Sequence, residues 1–311
     1  MQDIFTMDKV TDNLLFNAGS LADGEKCIIL FDCKTREVAK VFEHRLTEKG
    51  FYFCSYCLPF CENHGEEPPA EVAAAMKNAD LIVCLTSKSL AHSAARKEAN
   101  DAGTRFLSMP DYSLELLKNP ALSVDYREYY EQVSAVTKRL DNGKTVHITS
   151  KAGTDFYADI NGRNGNCCPG FTDAQHLLAS PPDIEANIAP IEDKSYGRIA
   201  VDGSITCDEI GLLKTPVYMN IENGKVVSFE CENKKIYAVL EQMFQIPERR
   251  TVGEIGIGFN KKAELCGNML VDEGTAGCIH FGFGSNATIG GKNKTPFHMD
   301  FVIRNPEIEI F

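Results

Sequence analysis

Between Lys26 and Ser108 the chain alternates short apolar runs with amphipathic stretches. This pattern predicts strands at 27–32 (CIILFD), 51–54, 80–86 (DLIVCLT) and 104–109, with helices over 35–49, near 69–79 and near 89–102. Strands separated by helices of this length imply βαβ units and a parallel sheet covered on both faces, so the first half is expected to be an α/β domain.

A long helix is expected over 123–139 (SVDYREYYEQVSAVTKR), and the Asp141-Asn142-Gly143 turn signal after it sets the expected boundary between a domain 1–141 and a domain 142–311. Beyond it lie short strand-like runs (TVHITS, DFYADI, RIAVDGSI, PVYMNI, KVVSFEC) separated by Gly, Asn and Asp, with one clear helix near 234–245. That texture predicts a mainly antiparallel β domain.

Two nucleotide signatures are missing. Asp32-Cys33-Lys34-Thr35 follows the first strand where a dinucleotide fold would place its glycine fingerprint, and the glycine-rich stretch before Lys292 lacks the Walker A spacing.

Composition narrows the partners. With 43% hydrophobic and 24% charged residues the 311-residue chain is expected to fold, and its net charge of -12 argues against a phosphate backbone as the natural partner. No apolar run approaches the roughly 18 residues needed to cross a bilayer. The N-terminal MQDIFTMDKVTDNLLF has no basic stretch ahead of an apolar core, so a cytoplasmic protein is expected. The twelve cysteines are scattered through strand-like segments and read as reduced thiols. Cys54, Cys57, Cys61 and His64 are the exception, because their spacing could hold a structural zinc.

The sharpest chemical signal is His298-Met299-Asp300: residues two apart on a strand share a face and could reach one metal ion or share a proton. Glu254 in GEIGIG and His280 in CIHFG each place an ionisable group inside an apolar, glycine-containing run. A charge buried there needs a partner, and a metal ion would serve. Carboxylates and imidazoles together suit Zn(II), Mn(II), Co(II) or Fe(II), held as one ion or two. Glu273 could act as a base on metal-bound water or support His280 from behind. Lys151, Thr154, Asp155, Arg163 and Asn164 read as turn residues.

Nearly the whole chain resembles the aminopeptidase T family of metallopeptidases and the related 2,5-dihydroxypyridine 5,6-dioxygenases. The resemblance runs through HGEEPP, LTSKSLAHSAARKEANDAGTRFLSMP, VHITSKAGTDF, ANIAPIED, VGEIGIGFN, DEGTAGCIHFGFG and GGKNKTPFHMD. In the aminopeptidase branch it implies a pair of ions held by Glu185, Glu254, His280, His298 and Asp300. In the dioxygenase branch it implies a single Fe(II) on two histidines and one aspartate. The first of those histidines falls at Glu254, and apolar residues fall at Glu185 and His280. The aminopeptidase branch's active-site tyrosine falls at Ala287. The resemblance also gives His92 an acid or base role near the substrate and suggests a homodimer.

From its ligand set the chain is expected to be a metal-dependent hydrolase of aminopeptidase type, acting on a small-molecule or peptide substrate. The alternatives are an Fe(II) ring-cleaving dioxygenase and a metal-binding module without catalysis.

Overall fold

The structure, a computed structural model, describes residues 2–311, with side chains from Met7 onward. The chain divides into two compact units. One comprises the stretch to Glu128 together with Gly170–Pro182, and the other comprises Tyr129–Pro169 and Asp183–Phe311.

The first unit opens with helix α1 (Gln2–Asp12), extended by a π-helical turn at Asn13–Ala18. There follow β1 (Lys26–Phe31), α2 (Arg36–Lys49), β2 (Tyr52–Cys57), α3 (Ala70–Met76), β3 (Leu81–Cys84), α4 (Ala94–Asp101) and β4 (Arg105–Ser108). The βαβ expectation holds: the strands form a parallel sheet in the order β2-β1-β3-β4, extended by a two-residue strand from the far end of this unit. Ile28, Leu30, Ile82, Cys84 and Phe106 pack with Val72 and Met76 of α3 and with Ala95 and Ala99 of α4. Helix α2 ends at Gly50, whose left-handed φ of 75° lets its N–H reach the carbonyls of Leu46 and Thr47. Helix α4, expected from about residue 89, starts only at Ala94, because the Ser93 hydroxyl accepts from Arg96 N at 3.1 Å and caps it.

The second unit begins with α5 (Tyr130–Asn142), so the helix expected over 123–139 is a 3-10 turn at Tyr126–Tyr129 followed by this α-helix. Its strands are β5 (Thr145–Thr149), β6 (Asp155–Asp159) and β7 (Gly165–Cys168). The chain then returns to the first unit for β8 (Leu178–Ala179). Next come β9 (Glu185–Ile188), β10 (Ser195–Val201), β11 (Ser204–Ile205), β12 (Gly211–Leu212), β13 (Val217–Glu222), β14 (Lys225–Glu230), α6 (Lys234–Met243), β15 (Val252–Gly258), α7 (Met269–Glu273), β16 (Cys278–Gly284), β17 (His298–Arg304) and β18 (Glu307–Ile310).

These strands make two antiparallel sheets, ordered β14-β13-β10-β6-β5-β18 and β12-β11-β17-β16-β15-β9-β7. Phe281 of the second sheet meets Phe156 of the first edge to face, with centroids 5.1 Å apart, and Phe283 and Phe301 pack on Phe244 at 5.7 and 5.9 Å. Since side chains alternate along a strand, this aromatic face turns His280, Gly282, His298 and Asp300 to the opposite face of the seven-stranded sheet. Among the described residues no helix is long and apolar enough to cross a membrane.

Candidate metal centre

Four adjacent strands, β17, β16, β15 and β9, carry the five residues expected to bind metal. The pairing sets Glu185 opposite Gly258, His280 opposite Gly256, Glu254 and Asp300 on either side of Gly282, and His298 opposite Gly284. Each ionisable side chain therefore faces a glycine on its neighbour. The space left by those glycines is filled by the ligand side chains: a Cβ on Gly256 would lie 2.2 Å from His280 Nε2 and 2.7 Å from Glu185 Oε2, and one on Gly282 would lie 2.6 Å from His298 Nε2. The glycines of GEIGIG and HFGFG are thus what allow the strands to hold this cluster.

The side chains converge. His280 Nε2 is 3.2 Å from Glu185 Oε2 and 4.0 Å from Glu254 Oε1, while His298 Nε2 is 3.1 Å from Glu254 Oε2 and 3.2 Å from Asp300 Oδ1. Glu185, Glu254 and His280 form one compact group of potential ligand atoms, and Glu254, His298 and Asp300 form another, with Glu254 common to both. His298 is the most accessible, its side chain 34% exposed against 2% for His280.

Several of these atoms are buried without a hydrogen-bond partner: Glu185 Oε2, Asp300 Oδ1 and, nearby in sequence, Asp183 Oδ1. Glu185 Oε2 and Asp300 Oδ1 lie close to imidazole nitrogens without hydrogen-bond alignment, as expected of ligands aimed at a common point. Oxygen and imidazole donors around a buried point fit a divalent metal ion.

Neighbours orient the set. Asn187 Nδ2 donates to Glu185 Oε1 at 2.6 Å, and Asn187 Oδ1 accepts from Asn166 Nδ2 at 2.7 Å. His298 Nδ1 faces Ser285 O at 2.8 Å, so Nδ1 carries the proton and Nε2 is left to bind.

The charges are strongly coupled. Burial pushes Glu185 up to about 7, the nearby His280 charge opposing it and the Glu254 charge adding to it. Burial would also raise Glu254, but the His280 and His298 imidazoles beside it hold it down at about 2. His280, which burial alone would lower, is raised to about 9 by Glu185 and Glu254. His298 is raised well above the usual imidazole range, burial being outweighed by Asp300 and Glu254.

Two further carboxyls belong to the cluster. Asp183 is raised well above the ordinary range by burial and then by Glu185, Glu254 and Asp300. Glu273, half-buried at the end of α7, is raised by burial, by the Asp300 charge and by a hydrogen bond to Asp300. The sequence suggests Glu273 as a base on metal-bound water or as a support for His280, and in the structure its carboxyl interacts with Asp300. Asp183 is missed. Its one signal in the sequence is its place two residues before Glu185, on the same side of an extended chain.

His92 is exposed in the turn before α4, on the first unit, where Lys88 and His92 add to burial in pushing His64 down to about 4. Cys54, Cys57, Cys61 and His64 do not form a metal-binding group among the described residues. Cys54 and Cys57 are exposed, on β2, and His64 Nδ1 accepts from Ser89 N at 3.2 Å.

A parallel α/β unit joined to an antiparallel unit with a buried carboxylate–imidazole centre defines a metal-dependent enzyme. The chain belongs to the 2,5-dihydroxypyridine 5,6-dioxygenase family, whose model matches residues 21–310. A 2,5-dihydroxypyridine 5,6-dioxygenase of Pseudomonas putida KT2440 is 27% identical over 248 residues, which cover 75% of this chain and 68% of that protein. The solved structure of 2,5-dihydroxypyridine dioxygenase from Pseudomonas putida KT2440 superposes with a TM-score of 0.83 at 20% identity, covering all of this chain and 94% of that one. AmpT from Thermus thermophilus superposes with a TM-score of 0.69 at 15% identity, covering 98% of this chain and 95% of that one. Both likenesses show the fold.

These findings overturn the expectation of an aminopeptidase-type hydrolase. The family matched along nearly the whole chain is the dioxygenase family, and the likeness to AmpT extends only to its fold. The ligand set misleads because Glu185, Glu254 and His280 fit what the resemblance to the peptidase branch implies, whereas the dioxygenase family model matches residues 21–310 as a whole.

Proposed function

We propose that the protein is a non-haem Fe(II) dioxygenase that cleaves the ring of a small hydroxylated aromatic substrate. The observation that carries this reading is the match of the dioxygenase family model over residues 21–310. The donors at the centre are compatible with it. The first histidine of the expected two-histidine, one-carboxylate set is replaced in sequence by Glu254, but His280 on the adjacent strand supplies an imidazole in space.

In this reading His280, His298 and Asp300 hold the ion together with Glu254 and Glu185. When bound, Fe(II) supplies open coordination positions and the redox chemistry that ground-state O2 requires. The chain's own contribution is to fix the ligands through Asn187 and the Ser285 carbonyl. Glu273 keeps a proton next to Asp300 and is the group placed to pass it to or from a substrate held at the centre. For His92 as a further acid or base, the support is the resemblance to dioxygenases alone.

The test is oxygen uptake by metal-free protein reloaded anaerobically with Fe(II), using 2,5-dihydroxypyridine as the first substrate. The reading predicts O2 consumption in step with loss of substrate absorbance, and no loss without O2. Substrate turnover that proceeds equally well under nitrogen, or with Zn(II) in place of Fe(II), would refute it.

A further inference from the structure

Between β16 and β17 the chain makes a loop, 285–297, that begins and ends beside His298, its base closed by Ser285 N donating to Phe297 O at 2.8 Å. The interior is wound around Asn286, which is fully buried. Its backbone carbonyl accepts from Gly291 N at 2.8 Å and its side-chain Oδ1 accepts from Asn293 N at 2.9 Å. Gly291 runs so close that a Cβ there would lie 2.0 Å from Asn286 Cγ.

One acid ties the loop down from outside, alongside Asn293 Nδ2, which donates to Glu248 O at 2.8 Å. Glu192, in the β9–β10 connection, accepts at Oε1 from Lys292 N at 2.6 Å and from Asn286 Nδ2 at 3.1 Å. Its Oε2 accepts from Arg163 Nη2 at 2.6 Å, and Arg163 Nη1 donates to Gly290 O. The Glu192 and Arg163 side chains are only 21% and 11% exposed, so this is not a freely solvated surface pair. One carboxylate thereby fastens two other stretches of chain, the loop and the turn that carries Arg163, to its own.

We propose that Glu192, braced by Arg163, is a positioning residue for the metal centre: it holds the 285–297 loop in the conformation that sets Ser285 O against His298 Nδ1. The proposal rests on His298 being a metal ligand. Removing the carboxylate leaves Lys292 N–H, the Asn286 side-chain amide and Arg163 Nη2 without that acceptor, and loosens a loop still held by Arg163 Nη1 on Gly290 O and by Asn293 Nδ2 on Glu248 O. The Ser285 carbonyl then fixes the ring less firmly, and Nε2 is less well held toward Glu254 and Asp300. Neither Glu192 nor Arg163 belongs to the ligand set, so the effect on metal affinity is indirect.

The test is Co(II) titration of the metal-free full chain, followed by visible absorption, together with hydrogen exchange of residues 286–297. Glu192→Ala is expected to raise the Co(II) Kd about 10–100-fold and to speed exchange at Lys292 and Asn293. Glu192→Gln keeps one acceptor and is expected to fall between it and the parent. Arg163→Ala is expected to act in the same direction, and the double variant to be no weaker than Glu192→Ala, because both break one clasp. If Glu192→Ala does not fold, the Gln and Arg163→Ala variants carry the same comparison.

Faster loop exchange with a Co(II) Kd within about twofold of the parent would reduce Glu192 to a structural acid and overturn the proposal, as would unchanged exchange. His298→Ala serves as the control. Undiminished Co(II) affinity in that variant would instead strike at the metal centre itself.

Discussion

The α-carbon of Gly256 stands so close to His280 that a methyl group on it would overlap the imidazole, at 2.1 Å from Cε1 and 2.2 Å from Nε2. His280 is 2% exposed and has no room to retreat. Gly256 is therefore as much a part of the centre as the residues that carry charge.

Gly256→Ala is accordingly expected to displace His280 and Glu185 together. Overpacking of this kind costs about 1–3 kcal/mol of stability. Thermal unfolding of the metal-free protein and metal content after reconstitution check it: the expected result is a lower Tm with metal bound substoichiometrically. A variant that unfolds and loads like the parent would show that the cluster is looser than its register implies.

Metal uptake should depend on pH in a definite direction. Burial raises Glu185 to about 7, and Glu185 and Glu254, outweighing burial, raise His280 to about 9, so the metal-free centre holds protons at neutral pH. A metal needs the carboxylate ionised and the imidazole neutral, so binding expels those protons. Affinity for Mn(II) is expected to rise as pH climbs through about 7 toward 9, by about tenfold per pH unit for each proton displaced. Competition with a chelator at several pH values, corrected for the chelator's own protonation, measures this. A flat profile would mean that the centre is already deprotonated.

Glu273 offers a test of where a proton sits. Burial, and then the Asp300 charge and hydrogen bond, keep its carboxyl protonated well above the usual range, so it donates to Asp300 in the metal-free protein. Glutamine also donates, so Glu273→Gln is expected to leave metal-free stability within about 0.5 kcal/mol of the parent, whereas Glu273→Ala, which strands Asp300, is expected to lose about 1–3 kcal/mol. Chemical denaturation decides between them. Equal losses in both variants would place the proton elsewhere.

Much of this centre is legible in the sequence, because an ionisable residue in a glycine-containing apolar strand is too costly to bury without a partner or a bound ion. Glu254 and His280 stand out in that way, His298 and Asp300 by sharing a strand face, and Glu185 follows from the resemblance. What is not legible depends on pairing across strands. That Gly256 makes room for His280, or Gly282 for His298, follows only from the β15–β16–β17 register. The Glu192 clasp joins residues 163, 192 and 292, which no local pattern connects.

The fold is readable where periodicity is strong, as in β1 to β4. It is not at β8, where two residues leave no pattern, nor at α4, whose start is set by the hydroxyl of Ser93. The reaction class goes astray when the ligands, read alone, outweigh the rest of the chain.

Carboxylates and two imidazoles from four strands converge on one cluster, the candidate metal centre, and X-ray absorption at the metal edge of protein reloaded with Fe(II) tests whether they bind the ion without relying on turnover. The predicted spectrum has a first shell of oxygen and nitrogen only, with the outer-shell scattering of two histidine rings, both lost in the His280→Ala, His298→Ala double variant. A sulfur scatterer at about 2.3 Å, or a spectrum without imidazole, would contradict it.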